Sequence, residues 1–124
     1  LFRRIKNMRF NFLAKRFRTK QNREVYDWYV SNLLKRHVLL PSGEVTVQTC
    51  GNPSGQVSTT MDNNIVNTWL QAFEFAYLNN LSFDEAVDLW GDYDTLIYGD
   101  DRLTTTPLLP ENYIVRVVQM YKDL

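Results

Sequence analysis

The residues best suited to chemistry are Tyr98-Gly99-Asp100-Asp101. Two adjacent carboxylates follow a glycine, between two β-forming runs at 95–98 and 102–106. Gly-Asp suits a two-residue hairpin turn, because glycine tolerates positive φ and aspartate comes next best. The pattern predicts a tight β-hairpin with Asp100 and Asp101 at its tip. Neighbouring carboxylates repel each other unless a cation sits between them. Hard Mg²⁺ takes carboxylate oxygens and keeps positions free for phosphate oxygens, the requirement of two-metal phosphoryl transfer. A bare Asp-Asp pair has a plainer reading, a solvated acidic turn. A second motif is needed to choose between them.

That motif lies upstream. Residues 51–56 hold two glycines, a proline, an asparagine and a serine, which make a loop. It lacks the lysine and the spacing of a phosphate-binding loop. A helix is predicted over 59–79. Met61, Ile65, Trp69, Phe73 and Tyr77 form one row on it, expected to face the core. Thr59, Asn63 and Asn67 form a second row four residues apart, with Asn64 and Thr68 beside it. Asn and Thr cost helix propensity relative to Lys, Glu or Arg, and short neutral hydrogen-bonding groups suit reading ligand hydroxyls. Thr59 has an alternative role as N-cap, with Asp62 completing a capping box.

The remaining elements carry less chemistry. Residues 1–20 read as one amphipathic basic helix. Asn22 is the candidate N-cap of a second helix over 23–37. Strands are predicted at 38–40 and 44–49 around the turn Pro41-Ser42-Gly43. Ser82 caps a short helix over 83–90, and a last helix opens at Pro110 or Glu111. Asp92 and Asp94 do not make an EF-hand, because Leu96 and Tyr98 stand where oxygen ligands belong. His37, the single histidine, has no ligand-spaced neighbours and reads as structural or exposed rather than catalytic.

The 124 residues carry no net charge, yet the charges are segregated. Eleven of fourteen basic residues precede His37 and twelve of fourteen acids follow it. A basic end can meet a phosphate backbone and an acidic end can hold cations. Cys50 is the only cysteine, so no intrachain disulfide forms, which fits a reducing compartment. No apolar run is long enough to span a membrane. The chain starts at Leu1 and stops on an amphipathic run at Leu124, so a piece of a larger protein is expected.

Ser54-Gly55, then Thr59, Asn63 and Asn67 on a helix, then Tyr98-Gly99-Asp100-Asp101 on a hairpin, together resemble motifs B and C of the palm of viral RNA-dependent RNA polymerases. The stretches at 51–64, 69–75 and 98–103 are most similar to the astrovirus polymerases. The resemblance extends over most of the chain. It implies an α+β palm-subdomain fragment, a small antiparallel sheet with helices packed on one face, as a single partial domain over 1–124. Motif B would span about 51–79, motif C about 95–105, and motif D would begin at about 110–124. Reverse transcriptases also carry paired aspartates on such a hairpin but lack the Ser-Gly, Thr, Asn arrangement.

By position the resemblance implies that Asp100 and Asp101 are catalytic and bind Mg²⁺, with Mn²⁺ as a substitute. Ser54, Thr59 and Asn63 would recognise the ribose of the incoming nucleoside triphosphate, and Gly55 would be the hinge of the motif B loop. The implied partners are an RNA template and primer strand, nucleoside triphosphates, and the rest of the fingers, palm and thumb. The implied location is the host cytoplasm, in a membrane-associated replication complex. The motif A aspartate would precede Leu1 and the motif D lysine would follow Leu124, so the piece alone is expected to be inactive. The rival from another class is a non-catalytic nucleic-acid-binding module that grips phosphate with the basic first helix.

Overall fold

The computed structural model describes residues 1–123. The fold is α+β, with five α-helices and two two-stranded antiparallel sheets among the described residues. The chain divides into two compact units, Leu1–Asp62 and the residues from Asn63 onward.

In the first unit, the predicted single helix over 1–20 is broken. Helix α1 (Phe2–Asn11) ends early, and a 3₁₀ turn (Lys15–Phe17) separates it from α2 (Lys20–Leu34). The break has a local cause. Thr19 accepts a hydrogen bond from Asn22 N at 3.2 Å and so starts a new helix at Lys20. Thr19 is therefore the N-cap, and Asn22 in the first turn donates its side-chain amide to Phe17 O at 2.7 Å. Phe12, Leu13 and Phe17 are exposed, so no burial rewards a continuous helix there. Helix α2 stops three residues short of the predicted end, and strand β1 (Arg36–Leu39) pairs with β2 (Val45–Gln48), Arg36 opposite Gln48 and Leu39 opposite Val45. The predicted turn closes this hairpin, with Gly43 at φ +87°.

Asp62, wholly buried, is the polar centre of this unit. Its Oδ2 accepts from Lys6 Nζ at 2.5 Å, Ser58 Oγ at 2.8 Å and Gln56 Nε2 at 2.9 Å, and Oδ1 accepts from the Arg9 guanidinium. The Thr59–Asp62 capping box does not form, because cations from α1 take the carboxylate. Lys6, expected on the solvated face of α1, is equally buried. Burial pushes the Asp62 pKa up, but the hydrogen bonds from Lys6, Arg9, Ser58 and Gln56 outweigh it and hold the carboxyl below its ordinary value.

The second unit contains most of α3 (Thr59–Leu78), then α4 (Phe83–Trp90), strands β3 (Asp94–Tyr98) and β4 (Asp101–Thr105), and α5 (Tyr113–Asp123). Ser82 and Glu85 form a reciprocal capping box that starts α4. Strands β3 and β4 pair with Tyr98 opposite Asp101, which leaves Gly99-Asp100 as the two-residue turn. The last helix opens at Tyr113, later than predicted, after Asn112 in the left-handed region at φ +56°. Phe75, Leu78 and Met120 are buried, and Tyr93 packs edge-on against Phe75 and stacks on Trp90 at 4.3 Å.

The face of α3 expected in the core is not there. Met61, Trp69 and Tyr77 are about half exposed, and Trp69, Phe73 and Tyr77 stack on one another at 5.5 and 5.6 Å. The buried stripe is instead Asn67, Gln71, Glu74, Phe75 and Leu78. The hairpin beside it presents polar atoms that must find partners, and α3 supplies them. Glu74 accepts from both arms of Arg102 at 3.1 and 2.6 Å, from Tyr113 at 3.1 Å and from Tyr121 at 2.6 Å. Burial and this hydrogen bond push the Tyr121 hydroxyl well above its ordinary pKa.

Two outcomes are expected. Glu74→Ala leaves Arg102 and two tyrosines without their acceptor, and should lower unfolding free energy in urea by about 3 kcal/mol, the cost of breaking a mostly buried pair. The ionised Asp62 contributes stability that is fully present above the ordinary carboxyl pKa near 4 and is lost as pH falls through its lower folded value. Urea midpoints measured from pH 7 down to 2.5 should therefore fall on acidification, and the fall should flatten in Asp62→Asn, which starts from a lower midpoint.

Candidate functional site

The predicted acidic turn forms as a hairpin tip, and α3 determines its shape. Gly99 has φ +66° and Asp100 does not share the positive φ, the type II′ pattern. Asn64 Oδ1 accepts from Gly99 N at 2.7 Å. Asn67 Nδ2 donates to Gly99 O at 3.3 Å and to Asp100 O at 3.2 Å. The backbone of the turn is therefore gripped from α3, while the side chains of Asp100 and Asp101 are exposed. Among the described residues no Lys, Arg or His pairs with either carboxylate.

A 440 Å³ cavity adjoins the turn. Asn63, Asn67, Gly99, Asp100 and Arg102 line it, together with Tyr121 of α5. The structure thus brings two predicted site residues, Asn63 and Asp100, into one cavity. Asn67, expected in the ligand-facing row, is nearly buried and turned to the hairpin backbone instead.

Asp101, predicted at the tip beside Asp100, is instead the first residue of β4 and does not line the cavity. Ser54, Gly55 and Thr59 lie in the first unit. Ser54 and Gly55 are exposed in the loop before α3. Gly51 and Gly55 have φ +73° and +78°, and nothing lies within 4 Å of where a Cβ at Gly55 would be. From Gln56 onward the loop is anchored. Gln56 accepts from Ser58 N and Tyr29 Oη at 3.0 Å each and donates to Asp62. Thr59 Oγ1 donates to Pro53 O at 2.8 Å and Gln56 O at 3.0 Å. It therefore closes the loop rather than capping the helix, which begins at Thr59 itself.

Asp100 and Asp101 supply hard oxygen donors, the right kind for Mg²⁺. Two carboxylates are fewer than such a site takes, and among the described residues no group of three or more His, Cys, Asp or Glu could hold a metal ion. Asp94, set aside as a calcium ligand, accepts from Thr95 N at 2.9 Å at the start of β3. The sequence reading missed Asn64, Asn67 and Gln71 as supports of the turn. A signal was present: 64, 67, 71 and 74 are all polar and follow three-four-three helical spacing, which puts them on one side of α3.

The family model described as viral RNA-dependent RNA polymerase matches residues 1–124. The chain is 64% identical over 124 residues to the non-structural polyprotein 1AB of Human astrovirus-5, covering all of this chain and 8% of the relative. It is 60% identical over 125 residues to that of Ovine astrovirus 1, covering all of this chain and 9% of the relative. Against that of Turkey astrovirus 1 it is 46% identical over 129 residues, covering all of this chain and 8% of the relative. The chain thus spans less than a tenth of the length of these curated relatives. No solved structure matches it. The hairpin-borne Asp100-Asp101, the loop-helix before it and a family match over the whole length together place this chain in the viral RNA-dependent RNA polymerase family.

Proposed function

We propose that the chain is a palm segment of an astrovirus-type polymerase, with motif B at about 51–79, motif C at about 95–105 and the start of motif D from about 110. Its work is template-directed transfer of nucleotides from nucleoside triphosphates to an RNA 3′-hydroxyl. The observation that carries this reading is the shared cavity, in which the exposed Asp100 tip and Asn63 line one space. The fingers, the thumb and the rest of the palm belong to the longer protein, as does the third metal-binding carboxylate. The proposed setting is the host cytoplasm, in a membrane-associated replication complex.

Each residue has a role its chemistry allows. Asp100 and Asp101 offer carboxylate oxygens to Mg²⁺, or to Mn²⁺ in its place. A divalent ion held there supplies positive charge for the 3′-hydroxyl and the departing pyrophosphate. Asn63 has both an acceptor and donors for a ribose 2′-hydroxyl, the group that separates RNA from DNA precursors. Thr59 has its only hydroxyl hydrogen directed at Pro53 O and Gln56 O, so toward the ribose it acts as an acceptor. Ser54 is exposed and can donate. Gly51 and Gly55 are pivots of a loop whose far end is pinned at Gln56.

The rival nucleic-acid-binding module loses ground on a specific observation. Two of the four cations of α1, Lys6 and Arg9, are committed to Asp62, and Arg23 on α2 is bound to Asp27 and Asn7. Arg3 and Arg4 of α1 remain exposed, as do Lys15, Arg16, Arg18 and Lys20 beyond it, so the rival keeps only part of the phosphate footprint read over 1–20.

Substitution in the full-length polymerase separates the two. Asp100→Ala should lower RNA synthesis by roughly 10²- to 10³-fold or more, the scale for losing one group that stabilises transition-state charge, with RNA affinity within about two-fold. Synthesis that survives Asp100→Ala, together with RNA binding lost on replacing Arg3 and Arg4, would favour the binding module.

A further inference from the structure

We propose that Asn67, oriented by Gln71, is a positioning residue for the metal-binding turn. A directional ladder of hydrogen bonds runs from the hairpin strands through α3 to the carbonyls of Gly99 and Asp100, and so sets where Asp100 presents its oxygens. The inference rests on the reading of Asp100 as a metal ligand.

The polarity of the ladder follows from the turn. Two backbone carbonyls face α3, and a carbonyl can only accept. Asn67 must therefore present its NH₂ to them, at 3.3 and 3.2 Å. Its Oδ1 then points the other way and needs a donor, which Gln71 Nε2 provides at 3.2 Å. That leaves Gln71 Oε1 facing three hydroxyls, Thr104 at 2.8 Å, Thr95 at 2.9 Å and Tyr93 at 3.1 Å. Thr95 and Thr104 lie opposite each other on β3 and β4, so the ladder starts and ends on the same hairpin. Gln71 is wholly buried and Asn67 only 8% exposed, so water does not replace a lost rung. Asn64 grips the same turn with the opposite polarity, its Oδ1 accepting from Gly99 N at 2.7 Å. Residues that orient metal ligands through their backbone or second hydrogen bond alter metal affinity without touching the ion.

The paired asparagines give a charge-matched test. Asn64→Asp keeps the acceptor that Gly99 N needs. Asn67→Asp replaces the donor with an acceptor aimed at two carbonyls. Both add one negative charge beside the turn, so plain electrostatics tightens cation binding in both. The ladder predicts instead that Asn67→Asp weakens it by about ten-fold and that Asn64→Asp does not weaken it. The measurement is Mn²⁺ binding to the full-length polymerase by EPR of the free ion, with a thermal midpoint for each variant. Mn²⁺ binding as tight in Asn67→Asp as in the parent, or weakened equally in both variants, overturns the ladder. If Asn67→Asp does not fold, Asn67→Ser carries the same test: Mn²⁺ binding several-fold weaker supports the ladder and unchanged binding overturns it. Asp100→Ala is run alongside. Unaltered Mn²⁺ binding there overturns the assignment of the turn as the metal site, whatever the asparagines do.

Discussion

A two-residue hairpin turn exposes backbone groups that no strand partner satisfies, and the second unit is built around meeting that demand. Gly99 N needs an acceptor, and the carbonyls of Gly99 and Asp100 need donors. Amide side chains suit both needs, because one residue type offers either polarity. Once Asn64 and Asn67 stand on α3 to meet the turn, the helix face toward the hairpin must stay polar for two more turns. Gln71 continues it to the strand hydroxyls and Glu74 to Arg102. The aromatic row of α3 is displaced to another side as a consequence, and its exposed stacking follows from the same constraint.

The elements with strong local signals were legible in the sequence. Ser82 with Glu85, Gly99-Asp100 and Pro41-Ser42-Gly43 each carry side chains or φ preferences that act within four residues. Those elements formed where the sequence placed them. What was not legible depended on partners distant in the chain. The continuous periodicity over 1–20 suggested one helix, but Thr19 makes a competing cap and Phe12, Leu13 and Phe17 find no burial. On α3 the apolar row is not the buried one. Hydrophobicity ranks residues by transfer from water, and a polar residue with all its hydrogen bonds met is not costly to bury. The polar stripe at 64, 67, 71 and 74 has the spacing of a packing face, and the spacing was the better guide.

The site was legible to a different degree at each position. The turn chemistry of Gly99 puts Asp100 and Asp101 on the hairpin, and the row Thr59, Asn63, Asn67 puts Asn63 on a polar side of α3, while their roles come from the resemblance alone. Ser54 and Gly55 fell in the loop expected from their composition. Thr59 was ambiguous between cap and ligand contact, and its hydroxyl does something neither reading included: it closes the preceding loop onto Pro53 and Gln56. Backbone acceptors six and three residues upstream are invisible to a periodicity argument.

Asp62 and Glu74 extend the same logic to charge. Each is a buried acid on α3 that meets its cation through more than one hydrogen bond, Lys6 and Arg9 for Asp62, Arg102 for Glu74. A buried pair contributes little net stability over well-packed apolar residues, because desolvation opposes the attraction. It does penalise any arrangement in which the partners fail to meet. Slipping the β3–β4 register by one residue would move Arg102 to the other face of the hairpin and leave Glu74 buried beside two tyrosines with no cation. The same slip would take Thr95 and Thr104 away from Gln71. The register that places Gly99-Asp100 at the tip is thus enforced by groups lying on the strands behind it, and the exposed carboxylate of Asp100 owes its position to the buried one of Glu74.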